Sequence, residues 1–372
     1  MDFAFTETQQ DLRAAARRYL GERYPLSRIA ELSDAGALDH EAWPELDRQG
    51  WFDPELGTVE LAVLAEEGGR ALHPVPWWSS VGLALPAYRL AGVELPGAAT
   101  LADGSATCRA RRDGDAWRLD GEVRAVVDAG VATEIVVAAR GDAGVALFGV
   151  RPDGPDFELT ARAGIDPLRT CADVAFTAAS ARLLVASPDA ERVLAAADRR
   201  ATALLACEAV GVADRALELA VEYAKTRVQF DRPIGSYQAV AHQLADGYAE
   251  VELARSLAYR ACLLADEKSA ARSDELAGAL ACAVHAGAQA ATRVCETAIQ
   301  VCGGIGVTWE FPLHRWYRRA LWLEAFTTGR SDPLAVVADG LFGSGIAARS
   351  SRRSRSNERS ESGSRRPTEH SD

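Results

Sequence analysis

The fold is decided by one stretch of sequence, Gln300-Val-Cys-Gly-Gly-Ile-Gly-Val-Thr-Trp-Glu-Phe-Pro-Leu-His-Arg-Trp-Tyr-Arg-Arg-Ala320. Small and apolar residues at helical spacing lead into it, and the glycines at 303, 304 and 306 predict the end of that helix. Glycines at such a break also let the backbone approach a ligand closely, and the freed N–H groups can bind phosphate. A plain helix stop and a phosphate site are both open at this point.

Long helices are predicted on both sides of this stretch. Alanine-rich periodic segments lie at roughly 189–226, 235–267 and 272–301, and a shorter helix is expected at 311–324. Antiparallel helices of this length with short connections form a bundle. We therefore predict a C-terminal helical bundle over 189–342. Its helices carry small residues on more than one face, which suits packing against a second subunit.

The rest of the chain predicts an α+β multi-domain protein. Residues 1–97 form an N-terminal α-helical domain, in which Thr6 and Gln9 fit a capping box. Residues 98–188 contain short β-branched or alternating segments between Gly/Asp-rich turns, which predict a small β-sandwich or barrel. Residues 343–372 are rich in Ser and Arg without an apolar period, which predicts a disordered tail.

Composition excludes several classes of function. The 372-residue chain is 48% hydrophobic and carries a net charge of −12, which disfavours nucleic-acid binding. Its seven cysteines show no CxxC pair, and its histidines lack metal-ligand spacing, so we assign no metal site. The N-terminus has no signal peptide, and no segment is apolar enough to insert in a membrane. We therefore expect reduced thiols and a cytoplasmic location.

Four motifs in the C-terminal half give the chain a family resemblance. They are Gly211-Val-Ala-Asp-Arg-Ala-Leu, Tyr223-Ala-Lys-Thr-Arg-Val-Gln-Phe-Asp-Arg-Pro-Ile-Gly-Ser-Tyr-Gln238, Val251-Glu-Leu-Ala-Arg255 and Gln300-Val-Cys-Gly-Gly-Ile-Gly. In this order and at these separations they resemble signatures of the acyl-CoA dehydrogenase family. The resemblance covers about residues 1–342 and implies an α domain, a β domain and a four-helix domain.

The resemblance implies FAD bound across a subunit interface. It places the contacts to the pyrophosphate and adenine half of the flavin at six positions: Arg227, Phe230, Gln238, Gln300, Gly303 and Gly304. The residue types suit that chemistry, because a guanidinium pairs with a diphosphate and glycines let the backbone approach phosphates.

The family reaction also needs a carboxylate base, which removes a proton from Cα of an acyl-CoA thioester while a hydride leaves Cβ for the flavin. The resemblance puts the commoner base position at Thr327 and the alternative one at Ala201. Neither residue is a carboxylate. Glu208, two turns after Ala201, and Glu324, reached by a register shift, are the fallback candidates.

The β domain departs from the family as well. The regions that resemble the isoalloxazine cradle are Leu101-Ala-Asp-Gly-Ser-Ala-Thr and Ala125–Glu134, and the second has no tryptophan. These losses favour the base-lacking subunit of a heteromeric (α2β2) acyl-CoA dehydrogenase, with a second, base-bearing subunit and an electron-transfer acceptor as partners. A self-sufficient homomer using Glu208 or Glu324, and a non-catalytic scaffold or acyl-CoA-binding module, stay open as alternatives.

Overall fold

A computed structural model describes residues 4–53, 55–266, 273–330 and 332–343 of the chain. Most of the predicted tail therefore lies outside the described residues.

The N-terminal part is helical, as predicted. Its helices are α1 (Glu7–Arg23), α2 (Leu26–Ala35), α3 (Trp43–Arg48), α4 (Thr58–Ala71) and α5 (Leu85–Ala91). The predicted capping box is present: Thr6 Oγ1 accepts from the Gln9 amide, and the Gln9 side chain accepts from the Thr6 amide. One turn of π-helix, Ser79–Ala84, precedes α5. Pro86 begins α5 because its missing N–H needs no partner at a helix start.

The middle part is a twisted β-sheet of seven strands. They are β1 (Ala99–Asp103), β2 (Arg109–Asp113), β3 (Ala116–Val127), β4 (Glu134–Gly141), β5 (Gly144–Val150), β6 (Phe157–Arg162) and β7 (Cys171–Val185). The order β1-β4-β2-β3-β7-β5 is closed on itself by the β4–β5 pairing, while β6 pairs with the first half of β7. The sheet is thus a small barrel, and inward-facing residues such as Leu119, Ile135 and Phe148 fill its core.

The C-terminal part is the predicted helical bundle. Its long helices are α6 (Asp189–Thr226), α7 (Gln238–Asp266), α8 (Ser273–Cys302) and α9 (Leu313–Arg330), followed by α10 (Pro333–Phe342). The first three agree with the predicted ranges to within a few residues. By contrast, α9 continues six residues beyond the expected end at 324, so Thr327 lies inside a helix.

Close helix contact joins the N-terminal helices to the bundle. A Cβ on Gly211 of α6 would lie 1.9 Å from the Glu66 carbonyl oxygen, and one on Gly69 of α4 would lie 2.1 Å from that of Glu208. The two backbones therefore touch where α4 crosses α6. Trp77 and Trp78, which follow α4, are both buried, at 3% and 2% exposure.

Within the part of the chain that the structure describes, no helix is long and apolar enough to cross a bilayer.

Candidate functional site

The six predicted flavin contacts lie at one end of the bundle. Helix α8 contacts α6 at Gly287, where an added Cβ would lie 3.0 Å from the Ala206 carbonyl oxygen. Farther along the two helices, Leu217 of α6 and Val294 of α8 both lie beside Gly247 of α7. Therefore α6 and α8 run in the same direction and end on the same side, where α7 begins. A ring contact of 6.0 Å between Tyr223 and Phe311 ties the end of α6 to the segment after α8. We call the six residues the bundle-end set: Arg227, Phe230, Gln238, Gln300, Gly303 and Gly304.

Every member of the bundle-end set is exposed. Gly303 has a φ of +64°, which by itself favours glycine. Gly304 is different: a Cβ there would meet no described atom within 4 Å, and its φ is not left-handed. Nothing in this chain's own packing requires a glycine at 304, whereas at Gly306 a Cβ would lie 2.9 Å from the Ile299 carbonyl oxygen. Close approach by another molecule would explain Gly304, so the set fits a bound diphosphate.

A two-residue turn presents Phe230 at this end. The strands β8 (Val228–Gln229) and β9 (Arg232–Pro233) pair around Phe230 and Asp231, which have φ values of +52° and +65°. Two left-handed residues make the tight turn that matches strand twist, but a bulky side chain rarely adopts that conformation. Phe230 is 88% exposed, which leaves a flat apolar ring face open to solvent.

Two of the three arginines at 315, 318 and 319 form ion pairs away from the glycines. Arg315 pairs with Asp34 at 3.0 Å, and Arg319 is fully buried with ion pairs to Asp166 and Glu208. Only Arg318 lacks an ion pair among the described residues, and its guanidinium lies 5.2 Å from the exposed Trp309 ring. Arg315 and Arg319 therefore do not extend the phosphate site that the sequence left open.

The two expected base positions meet at one cavity. Thr327 and Ala201 both line a space of about 140 Å³, which we call the base-position cavity; its other lining residues are Trp78, Asp198, Thr202, Leu205 and Val284. The Thr327 hydroxyl donates back to the Leu323 carbonyl at 2.9 Å. Neither expected position offers a proton acceptor near neutral pH.

Glu208, the first fallback base, is enclosed by arginines. Arg169 donates to both carboxylate oxygens at 2.5 Å, and Arg319 donates to one of them at 2.5 Å. Burial alone would raise the pKa of Glu208, but Arg169 and Arg319 together hold it below the usual range. A carboxylate in this position is stabilised as an anion and does not face the base-position cavity, so it is unsuited to accept a substrate proton.

Glu324, the second fallback, faces away from that cavity. Its carboxylate accepts from Gln289 at 3.2 Å and from Thr292 at 2.9 Å, on the side of α9 that packs against α8. Sequence reasoning missed the carboxylate that does line the cavity, Asp198. It lies one turn before Ala201 on α6, so counting one helical turn from the expected position could have found it.

A larger cleft lies between the barrel and the bundle. Its volume is about 650 Å³. We call it the domain cleft; it is lined from the barrel by 101–103, 123–127 and Cys171 and from the helices by Leu83, 194–195, 197–198, Trp322, 325–326 and Gly329. Both regions that resemble the isoalloxazine cradle border it. Ala125 stands there with a φ of +55°, and its amide donates to Asp173 at 2.8 Å.

An α domain, a β-barrel and a helical bundle around such a cleft define the acyl-CoA dehydrogenase fold, and known proteins place the chain in that class. The family model for the acyl-CoA dehydrogenase C-terminal domain matches residues 197–332. Acyl-CoA dehydrogenase FadE27 of Mycobacterium tuberculosis is 30% identical, with 91% of this chain and 98% of the relative covered. The chain therefore belongs to the acyl-CoA dehydrogenase family and is an oxidoreductase that acts on CH–CH groups.

Two solved structures resemble the chain along nearly its whole length. One is a variant of the Tcur3481-Tcur3483 steroid ACAD, at 30% identity and a TM-score of 0.76, covering 90% of this chain and 98% of that one. The other is the ChsE4-ChsE5 complex from Mycobacterium tuberculosis, at 28% identity and a TM-score of 0.78, covering 92% and 100%. Both names join two different proteins.

Proposed function

We propose that this chain is one subunit of a heteromeric, FAD-dependent acyl-CoA dehydrogenase, and that it contributes flavin contacts but not the catalytic base. The observation that carries the proposal is the contrast between the bundle-end set and the base-position cavity. The bundle-end set is exposed, with a glycine at 304 that this chain's packing leaves unexplained. The base-position cavity, in contrast, is lined by Thr327 and Ala201, the two positions at which the family resemblance implies a carboxylate.

The bundle-end set would hold the diphosphate and adenine half of FAD against a partner subunit. Arg227 would donate paired hydrogen bonds to the diphosphate, and the Gly303 and Gly304 backbone would approach it without steric hindrance. The amides of Gln238 and Gln300 offer both donors and acceptors. When bound, FAD supplies the hydride acceptor for α,β-dehydrogenation of an acyl-CoA thioester.

The names of the two similar assemblies support a heteromer, since each joins two proteins. We infer that the second subunit here is an acyl-CoA dehydrogenase that carries the base, and that an electron-transfer acceptor reoxidises the flavin. We also propose that the complex works in the cytoplasm, because the cysteines of the chain are free thiols, as in reducing compartments.

Asp198 supports a second candidate, a homomer with an unorthodox base. It is the only carboxylate among the described residues that line the base-position cavity, and it also borders the domain cleft. This candidate predicts that the chain alone dehydrogenates an acyl-CoA thioester and that Asp198→Asn abolishes the reaction. Our first proposal predicts that the same substitution leaves turnover of the heteromer unchanged.

The flavin role is tested by the FAD content of the purified heteromer. Arg227→Ala and Gly304→Val should each weaken FAD binding by about tenfold or more, since a charge-assisted hydrogen bond contributes roughly 1.5–3 kcal/mol. Arg192→Ala is the matched control, because Arg192 is an exposed arginine at the opposite end of the same helix. Unchanged FAD content in the Arg227 and Gly304 variants would refute the cross-subunit role.

A further inference from the structure

Two cavities lie side by side where α6 and α9 meet the barrel. The base-position cavity and the domain cleft share one lining residue, Asp198, and are otherwise lined by different side chains. Trp78 borders the smaller space, whereas Trp322 and Phe326 border the larger one. These three aromatic side chains therefore stand between the cleft and the positions of Thr327 and Ala201.

The three rings pack against one another as a wall. Trp322 and Phe326, one turn apart on α9, are stacked at 4.8 Å with an angle of 14° between their planes. Trp78 meets both edge-on, at 6.2 Å from Trp322 and 5.5 Å from Phe326. We call these residues the aromatic partition. Trp78 is 2% exposed and Trp322 9%, so both indole rings are buried.

Buried polar contacts fix the partition in place. The Trp78 indole N–H donates to the Ala201 carbonyl at 3.1 Å, which locks that ring beside the alternative base position. The Arg169 guanidinium lies 5.7 Å from the Trp78 ring and 5.3 Å from the Trp322 ring. Such cation–π contacts gain strength when they are desolvated.

Arg169 is itself held by a charge cluster that spans three segments. Glu208 on α6 binds Arg169 and also Arg319 on α9, and Arg319 in turn pairs with Asp166 in the loop before β7. All four side chains are at least 95% buried. The cluster carries two positive and two negative charges, and thus keeps the barrel loop, α6 and α9 in one fixed arrangement.

The space left beside the base positions is too small for a substrate. A small-molecule site has roughly 300–1,000 Å³, whereas the base-position cavity has about 140 Å³. We propose that the aromatic partition closes the base-position cavity of this chain to an acyl-CoA thioester, so that a substrate in the domain cleft cannot reach the space beside Ala201 and Thr327. Trp322 and Phe326 are then the residues that exclude the acyl chain from this subunit.

This inference rests on the proposed function, because it assigns turnover to the partner subunit's cleft. It also gives the charge cluster a positioning role, since Arg169, held by Glu208, keeps both tryptophans in the wall.

The first test measures binding of octanoyl-CoA to the full chain by calorimetry. Trp322→Ala combined with Phe326→Ala joins the two cavities, so we expect the variant to bind at least about tenfold more tightly than the unaltered chain. Trp309→Ala is the control, because that tryptophan is 57% exposed and lies outside the partition. Equal affinity of the unaltered chain and the double variant, with both folded by circular dichroism, overturns the proposal.

A second test measures access to position 327 by thiol labelling, and it requires neither a bound ligand nor the double variant. Thr327→Cys and Thr328→Cys place thiols at neighbouring positions, one buried at 7% exposure and one exposed. Iodoacetamide labelling, resolved by peptide mass spectrometry, should be slow at 327 and become at least about tenfold faster when Phe326→Ala is added. Labelling at 328 should not change. If Phe326→Ala leaves the rate at 327 unaltered, the partition does not control access.

These tests separate the partition from the cross-subunit flavin role. Neither uses FAD or a partner chain, so a failed partition leaves the FAD-content experiment unaffected, and a failed flavin role leaves the labelling result unaffected.

Discussion

Glu208 carries its charge where water is excluded, and two guanidinium groups stabilise it. Arg169 and Arg319 donate three hydrogen bonds of 2.5 Å to its oxygens. Removing one member of a buried ion cluster leaves the remaining charges without compensation, which costs about 3–5 kcal/mol. The same carboxylate that is unsuited to be a base is therefore central to stability.

We predict that Glu208→Gln lowers the unfolding free energy by about 3 kcal/mol or more, measured by urea denaturation. Glu324→Gln is the matched control: it removes a charge from a half-buried glutamate bound only by neutral partners, and should cost less than about 1 kcal/mol. Equal losses in the two variants would contradict the role assigned to the cluster.

His73 makes stability depend on pH. The ring is buried between Tyr24 and Trp51, and its Nε2 has no described hydrogen-bond partner. Burial, with Arg169 acting in the same direction, lowers the pKa of His73 to about 3. The unfolded chain binds a proton on this ring near pH 6.5, but the folded chain does not. The contribution of His73 therefore falls as the pH drops from about 6.5 towards 3.

Below about pH 6, we predict that the unfolding free energy of the unaltered protein falls more steeply than that of a His73→Phe variant. The difference between the two slopes should be about 1.4 kcal/mol per pH unit. Phenylalanine keeps an aromatic ring of similar size but does not titrate. Urea denaturation at pH 7, 6 and 5 provides the measurement, and parallel pH profiles for the two proteins would show that His73 does not titrate as described.

At the scale of elements, the crossing of α4 and α6 depends on glycine. A Cβ added to Gly211 or to Gly69 would lie less than 2.2 Å from a backbone carbonyl oxygen of the other helix. Backbone atoms cannot move aside as a flexible side chain can, so any larger residue must separate the helices.

We predict that Gly211→Ala destabilises the protein by more than about 2 kcal/mol, with a lower melting temperature. Gly278→Ala on α8 is the control, because a Cβ there meets nothing within 4 Å. That change should be neutral or stabilise by up to about 1 kcal/mol through helix propensity. A melting temperature for Gly211→Ala that equals that of Gly278→Ala would exclude the close crossing.

Elements with strong periodicity were predictable from sequence, and side-chain networks were not. The alanine-rich repeats gave α6, α7 and α8 to within a few residues, because helical period is a local property. The extension of α9 past 324 was missed, since Phe326 is ordered by packing against Trp78, which lies far away in the sequence. The charge cluster joins positions 166, 169, 208 and 319, and no local pattern connects them.

The candidate site, too, was only partly predictable from the sequence. Motif order predicts the bundle-end set and the two base positions, but only the fold shows that Thr327 and Ala201 line one cavity. Asp198 was missed because no motif marks it, and Glu208 was considered as a base because the sequence could not reveal Arg169 beside it.

At the scale of the whole molecule, the chain combines an exposed bundle-end set with a base-position cavity of about 140 Å³. The exposed apolar residues around the bundle end extend the surface that a partner would cover; they are Val228, Phe230, Ile305, Val307 and Trp309. Exposed aromatic residues next to arginine are typical of subunit contacts. We propose that such a subunit functions only together with a second chain that supplies the base.

The need for a partner subunit is tested by purifying the chain alone and together with a base-bearing acyl-CoA dehydrogenase encoded beside it. Flavin absorbance and dehydrogenation of an acyl-CoA thioester are measured on both preparations. We predict that the chain alone is colourless and inactive, whereas the heteromer binds FAD and turns over. If the chain alone is yellow and active, it does not need a partner subunit to bind FAD or to supply the base.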